Sequence, residues 1–345
     1  MPSSLSSAPP SGTASPPARH RRDMAAVVLL IPVLVAVALW AFAWPAARTA
    51  PRDLPLGVAG SASATAPIEQ RLAQQDGAFE IHRYADEAAA RDAIEDRTVY
   101  GAIVATAQGP KLLTASAAGP LVAQSLQQSM AGQAPEGTSV TTVDVVPAPA
   151  EDPRGAALTS SVLPLGLAGV AAGSVVTLLG LRGLRAVGAL LGAAVFVGVV
   201  AAALTHNWLG ILSGDWWAEA GALSLSTLAV SGAVAGLAAL VGTPGIGVGA
   251  LLVVLLGNPF SGASSAPEML PEPVGVVGQW LAPGAGTSLL RSVSFFDGAA
   301  ATGPVLTLTW WATLGLGAVL LGATLHRRAA TAGERVVERE PAMVN

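Results

Sequence analysis

The sequence predicts an α-helical polytopic membrane protein with six transmembrane helices and a small α/β extracytoplasmic domain between helices 1 and 2. Hydrophobic residues make up 52% of the 345 residues and charged residues only 12%, and the mean hydropathy is +0.57. Soluble globular proteins carry about 25% charged residues. Long apolar runs are interrupted by one polar region, 46–155, whose pattern mixes helix and strand. These observations predict the fold class.

The first 45 residues predict a disordered cytoplasmic N-terminus, 1–22, followed by transmembrane helix 1, 23–45. The N-terminal segment is rich in Pro and Ser, which is typical of disorder. Its basic stretch precedes an uncharged run at 24–44, and about 20 residues of helix cross a bilayer. A cleaved signal peptide is the alternative, but its apolar core is about 7 to 15 residues long. We therefore expect the helix to be retained.

The extracytoplasmic α/β domain, 46–155, is predicted from short segments of alternating type. Helices are expected around the Ala-rich stretches 66–75, 86–96 and 118–131, and Asp86 is expected to cap the second of them. The segments between them carry strand-like residues. The predicted strands are 54–60, 79–84, 100–106, 111–116 and 139–146.

The transmembrane domain, 156–326, is predicted to contain five more helices and is followed by a cytoplasmic tail, 327–345. The fifth run of the chain, 244–257, is short enough for a buried or re-entrant segment. Six crossings place Arg182, Arg185, Arg327 and Arg328 on one side, as the positive-inside rule expects. The apolar runs are 158–181, 186–206, 220–241, 244–257 and 304–325. We expect a multi-pass protein of the bacterial plasma membrane with both termini cytoplasmic.

Between the last two runs lies an outer segment, 258–300, that is rich in Pro and Gly. Irregular backbone is tolerated at membrane depth only where protein or a water-filled cavity covers it. We therefore expect short, partly embedded helices at the apolar stretches 274–281 and 288–296, as in a re-entrant segment.

The same segment resembles the outer re-entrant segment of type-2 ABC exporter permeases, especially the phage-infection-protein (YhgE/Pip-like) branch. An Asn-Pro, a Ser-Gly, a Leu-Pro and a Leu-x-Pro-Gly-Ala-Gly occur in the order typical of that branch, followed by an Arg and an aromatic-Gly pair. The layout of one span, an outer domain and five spans also agrees. The residues that carry the resemblance are Asn258, Pro259, Ser261, Gly262, Pro267, Leu270, Pro271, Leu281, Pro283, Gly284, Ala285, Gly286, Arg291, Phe296 and Gly298.

The resemblance implies the permease subunit of an ABC-type exporter that moves a lipid, peptide or hydrophobic compound outward. The implied partners are the lipid bilayer, a separate ATP-binding subunit and a second permease in a homodimer or heterodimer. The turn 181–185, however, is short for a surface that docks an ATPase. The alternative is a non-transporting scaffold or surface receptor whose outer domain binds an envelope component or a protein partner.

Other chemistry finds little support in the sequence. A P-loop needs Gly-Lys-Ser/Thr, and Lys111, the only lysine, precedes Leu112. The four histidines are far apart along the chain, cysteine is absent and no Gly-x-Ser-x-Gly occurs. We expect no catalytic residues, no cofactor, no metal and no nucleic-acid partner. A membrane-embedded enzyme is the least supported class.

Two further expectations concern charge in the membrane. Arg291 lies in an apolar stretch, so it is expected to pair with Glu268, Glu272 or Asp297, or else to snorkel to the surface. The predicted spans contain no Asp, Glu or Lys, so no carboxylate relay for a proton-driven cycle is expected. The driving force is therefore assigned to a partner.

Overall fold

A computed structural model describes residues 17–133 and 141–338 and consists of an α/β domain set on one end of a helical bundle. The helices of the α/β domain are α2 (Ala62–Ala73), α3 (Glu87–Glu95) and α4 (Pro120–Gln133). The other helices are α1 (Pro17–Ala47), α5 (Ala156–Leu178), α6 (Leu184–Ala202), α7 (Trp216–Val241), α8 (Pro244–Leu251), α9 (Val274–Trp280), α10 (Ala282–Phe295) and α11 (Thr302–Glu338). Single π-helical stretches extend α6 over Ala203–Trp208 and α8 over Leu252–Gly257.

The α/β domain contains a five-stranded sheet with the order β2-β1-β3-β4-β5. All neighbours are parallel except β3 and β4, which form an antiparallel hairpin. Each strand falls where the sequence predicts one, to within a few residues. The strands are β1 (Leu54–Ala59), β2 (Phe79–Tyr84), β3 (Gly101–Thr106), β4 (Gly109–Thr114) and β5 (Thr141–Asp144).

Helices cover both faces of this sheet, which explains its nearly continuous apolar strands. On one face, Leu56 and Leu112 pack with Val122 and Leu126 of α4. On the other face, Ala102 and Leu113 pack with α3, which contributes Ala90, Ala93 and Ile94. The cap predicted at the start of α3 is confirmed, since Asp86 Oδ1 accepts a hydrogen bond from Ala89 N.

Five helices of the described residues are long and apolar enough to cross a membrane. Helix α1 begins at Pro17, within the predicted N-terminal segment, and the part of it that could cross a membrane is Val27–Ala47. Residues 1–16 lie outside the described residues. The predicted tail is also helical as far as Glu338, because α11 continues without a break through the charged residues that follow the apolar run. The spans are Val27–Ala47, Ala156–Leu178, Leu184–Trp208, Trp216–Val241 and Thr302–Arg328.

The fifth predicted span, 244–257, does not meet the length needed for a crossing. It comprises 8 α-helical and 6 π-helical residues, Pro244–Gly257. At about 1.5 Å per residue it rises roughly 21 Å, whereas the hydrocarbon core is about 30 Å thick. The six-span prediction is thus matched by five long helices and one short segment among the described residues.

The short segment runs antiparallel along the second half of α7. A Cβ atom built on Gly245 would lie 2.5 Å from the backbone of Leu237, and one built on Gly249 would lie 2.9 Å from Val234 Cγ2. Farther along, Val253 packs in the same apolar cluster as Val230. The segment therefore follows α7 from its C-terminal end to about its middle.

Helix α10 continues this path along the first half of α7. A Cβ built on Gly286 would lie 2.8 Å from Ser226 Oγ, and Val293 lies against Gly214 just before α7 begins. The two pieces meet where the ring of Pro283 packs on Gly257. The chain thus returns along α7 in two pieces, α8 and α10, with residues 258–281 inserted between them.

The two ends of the bundle differ in charge. The turn that holds Arg182 and Arg185 lies beside the end of α11, since Arg327 Nη2 is 3.4 Å from a Cβ built on Gly183. These arginines and Arg328 therefore share one end, as the sequence predicts. The α/β domain packs against α10 near the start of α7, which places it at the opposite end.

Candidate functional site

The segment that carries the family resemblance folds as a compact unit between the bundle and the α/β domain. The two predicted short helices are confirmed as α9 and α10, and a 3₁₀ turn, Pro267–Met269, precedes them. Their backbones approach closely, because a Cβ on Gly278 would overlap the carbonyl of Phe260 and one on Gly284 would overlap the carbonyl of Gly278. Only glycine fits at such contacts.

The structure brings the other predicted site residues into the same unit. Asn258 ends the π-helical stretch, and its carbonyl accepts from Ser261 Oγ at 2.7 Å. Gly262 has φ +68° and lies against Pro267, so it turns the chain in a conformation that side chains disfavour. The remaining positions mark turns or contacts within the unit and include Pro259, Pro271, Pro283 and Gly286.

Arg291 lies in the centre of the unit and is 4% exposed. Its Nη2 donates to the carbonyl of Ala263 at 2.5 Å, and its Nη1 is 3.5 Å from the carbonyl of Gly262. The predicted carboxylate partners are wrong, and so is snorkelling, because the guanidinium is buried against main-chain oxygens. Its Nε has no hydrogen-bond partner.

A second arginine fixes the α/β domain to α10. Arg97 Nη1 donates to the carbonyl of Ser288 at 3.0 Å and to the hydroxyl of Ser292, and its guanidinium lies 5.2 Å from the ring centre of Phe296. Its backbone has φ +58°, a left-handed conformation at the end of α3. Sequence analysis missed Arg97, and its only local signal is its place just after a helix end.

Tyr100 adds a second contact between the α/β domain and the segment. Its hydroxyl donates to Glu268 Oε2 at 2.8 Å. Burial, together with the nearby Glu268 carboxylate, raises the pKa of Tyr100 far above its ordinary value. The interface therefore holds the partly buried Arg97 and Glu268 beside the buried Arg291, so positive charges outnumber the carboxylate in this cluster.

Below this cluster a small apolar cavity lies between α5, α7 and α10. It is lined by Leu223, Val230, Pro283, Gly286 and other residues, and its volume is about 50 Å³. The hydroxyls of Thr227 and Thr287 donate to carbonyls of their own helices, so neither keeps a free O–H donor for a ligand. Ligand pockets usually measure about 300–1,000 Å³, so this conformation leaves the cavity closed to a drug-sized molecule.

A larger groove of about 530 Å³ lies on the α/β domain where β4 and β5 end. Its polar lining includes Gln124 and Gln127 of α4, Asp144 and Arg154, and Ser264 of the outer segment also reaches it. Its size and mixed lining suit a polar ligand or a peptide segment.

One carboxylate lies inside a candidate span, which corrects the expectation that the spans contain none. Glu219 falls in Trp216–Val241 and is completely buried. Its carboxylate accepts from Gly214 N at 2.8 Å and pairs with His206 Nδ1 at 2.8 Å. The prediction failed because α7 begins four residues before the uncharged run. The pair joins the π-helical end of α6 to the first turn of α7.

Comparison of the chain with protein-family models, curated proteins and solved structures found no match. The resemblance to type-2 exporter permeases therefore rests on the order of the motif and on the layout of the chain, and the family remains a prediction.

Proposed function

We propose that the chain is the permease subunit of an ABC-type exporter that moves a lipid, peptide or hydrophobic compound outward and is powered by a separate ATPase subunit. The observation that carries the proposal is the two-piece return along α7, with α8 and α10 separated by a compact inserted unit. Discontinuous helices at membrane depth are typical of transport proteins, since they allow one half to move against the other.

The basic end of the bundle indicates which side of the membrane each end of the protein faces in this proposal. Arg182, Arg185, Arg327 and Arg328 share that end, and cytoplasmic surfaces of membrane proteins are enriched in Arg and Lys. We assign this end to the cytoplasm, which puts the α/β domain outside and makes α8 and α10 together the fifth of six crossings. Both termini are then cytoplasmic, in a bacterial plasma membrane.

The separate ATPase follows from what the sequence lacks. With no P-loop lysine, ATP hydrolysis must come from another chain, and the proposed contact is the basic end around Arg185 and the turn at 242–245. A second permease is the further proposed partner. Helix α1 offers a surface for this second permease, because only 6% of its most apolar stretch is buried within this chain.

Purification of the chain from its native membranes in a mild detergent tests this proposal. We expect an ATPase subunit to co-purify and the isolated chain to hydrolyse no ATP. Arg185→Glu should reduce co-purification, because it reverses charge at the proposed contact, whereas Arg154→Glu at the opposite end should not. Transport by the chain reconstituted alone and driven by a proton gradient would overturn the proposal.

The groove on the α/β domain favours the second candidate, a receptor or scaffold that binds an envelope component or a protein partner. A photo-reactive residue at Gln127 would then cross-link to a partner in living cells, and one at the exposed Gln74, just after α2, would serve as the control. Equal labelling at both sites, together with co-purification of an ATPase, excludes the receptor in favour of the permease.

A further inference from the structure

A second cavity lies at the basic end of the bundle, where α5, α6, α7 and α11 meet. Its volume is about 210 Å³. Four apolar residues from the four helices form its floor and pack in one cluster, and they are Val176, Ala186, Ala235 and Val319. Its rim is polar and carries Thr177, Arg182, Thr243 and His326. The cavity is therefore amphipathic, with an apolar interior and a cationic edge.

The rim offers donors that the rest of the described chain does not use. Within residues 17–133 and 141–338, the exposed side chain of Arg182 makes no hydrogen bond or ion pair. His326 Nδ1 lies 2.7 Å from the carbonyl of Gly322, so the Nε2 atom is left for another partner. The stretches 177–186, 239–251 and 319–328 contain four arginines and no Asp or Glu. An anion would meet no repulsion from these stretches.

The surface around the cavity identifies its surroundings as lipid. Leu178, Leu179 and Leu184 are largely exposed, at 70%, 70% and 79%, and Val241 and Leu321 are also exposed. Apolar side chains so exposed, on the ends of candidate spans, lie at the level of the bilayer. The mouth of the cavity thus opens at the boundary between acyl chains and headgroups.

We propose that this cavity binds an anionic phospholipid, whose phosphate contacts Arg182 and His326 at the rim and whose glycerol backbone and first acyl carbons occupy the apolar floor. Basic pockets between transmembrane helices are suited to lipid headgroups, because the guanidinium forms charge-assisted hydrogen bonds with phosphate oxygens. A free phosphate would use only the rim, whereas a phospholipid also uses the floor. The proposal does not depend on transport or on an ATPase.

Thermal unfolding of the purified full chain in a neutral detergent tests it. A ligand that binds only the folded state raises the melting temperature with its concentration. Short-chain phosphatidylglycerol should raise the melting temperature, and phosphatidylcholine of the same chain length should raise it much less. Inorganic phosphate at the same concentration should have no effect, which separates a lipid from a free anion.

Substitutions at the cavity test whether the lipid binds there. Arg182→Gln should weaken the apparent affinity for phosphatidylglycerol about tenfold, since it removes one charge-assisted contact. Arg185→Gln is the matched control, because Arg185 is exposed at the same end but does not line the cavity. The affinity of this variant for phosphatidylglycerol should remain within about twofold of wild type. Ala239→Leu, which fills the cavity from α7, should also weaken binding without removing charge.

Three outcomes would overturn the proposal. Equal stabilisation by the two lipids would show that the headgroup charge is not recognised. Equal loss in the Arg182 and Arg185 variants would indicate a diffuse attraction to a basic surface. Stabilisation by inorganic phosphate alone would assign the rim to a soluble anion. A folding defect is detected separately, as a lowered melting temperature in the absence of lipid.

Discussion

At the scale of single residues, two arginines bond mainly to backbone and hydroxyl oxygens: the buried Arg291 within the outer segment, and the partly buried Arg97 between the α/β domain and α10. Arg291 is surrounded by carbonyls from the turn at 262–263, and Arg97 reaches the backbone and hydroxyls of α10. The carbonyls of Gly262 and Ala263 also accept from Ser265 N and Thr159 Oγ1, and the charged guanidinium adds stronger hydrogen bonds to them. Both arginines therefore hold the outer segment, 258–300, in its conformation.

Replacement of Arg291 by Leu is expected to lower the free energy of unfolding by about 1.5–3 kcal/mol, because it removes the hydrogen bonds that a charged donor makes to buried carbonyls. Arg154→Leu is the control, since Arg154 is exposed and such surface changes alter stability by less than about 0.5 kcal/mol. Chemical denaturation of the two purified variants provides the measurement. If both unfold at the wild-type midpoint, Arg291 does not hold the segment.

The ion pairs of Glu87 predict a pH dependence within the α/β domain. Hydrogen bonds from Lys111 and Arg91 lower the pKa of Glu87 below its ordinary value. A lowered folded-state pKa stabilises the protein above the unfolded-state pKa, and this contribution is lost as the pH falls through the folded-state pKa.

Glu87→Gln should therefore reduce stability near pH 7 by about 1 kcal/mol or less, since the pair is partly solvent-screened. The difference from wild type should decrease below about pH 4.3, the ordinary glutamate pKa, as the wild-type carboxylate takes up a proton. Melting temperatures of both proteins between pH 3 and pH 7 measure it. A difference that stays constant over this range would mean that the charge of Glu87 contributes nothing.

At the scale of elements, sequence patterns predicted most helices and strands but not the joint between α8 and α10. The strands were readable because their apolar and β-branched residues stand out locally. The joint depends on Gly257 meeting Pro283, and Arg97 depends on a partner 191 residues away. No local pattern encodes a contact between such distant residues. The sequence places the start of the third span at residue 220, four residues after α7 begins, because the charged Glu219 interrupts the apolar run.

The close contacts of the glycines in the outer segment, 258–300, make a testable prediction. Gly284→Leu and Gly286→Leu should each destabilise the protein by about 1–3 kcal/mol or prevent its accumulation, because a side chain would overlap Gly278 or Ser226. Gly188→Leu on α6 is the control, since no atom lies within 4 Å of a Cβ built there. Fluorescence-detected size-exclusion chromatography of the three variants compares their folded yields. Equal yields would mean that the unit is an ordinary loop.

At the scale of the whole molecule, a basic bundle end and an α/β domain lie at opposite ends of the same helices. This arrangement fixes the relative positions of the parts, and the positive-inside rule then assigns each end to a side. The absence of cysteine makes the assignment easy to measure, because any introduced thiol is the only one present.

Ser63→Cys, exposed on α2, should react with a membrane-impermeant maleimide in intact cells. Thr243→Cys, exposed at the basic end, should react only after the membrane is permeabilised. Both variants must accumulate as wild type for the comparison to hold. The reverse labelling pattern would invert the orientation and, with it, the proposed direction of export.

The contact between Gly257 and Pro283, where α8 and α10 meet, also affects how the two helical pieces can move. Two stacked helical pieces that share no covalent bond at their junction can slide without breaking a helical hydrogen bond, unlike a continuous helix. Arg97 binds α10, and Tyr100 binds Glu268 in the turn before α9, whereas α8 makes its glycine contacts with α7. A tilt of the α/β domain would therefore move α10 and residues 258–281 relative to α8, and would open the apolar cavity beside Pro283 first.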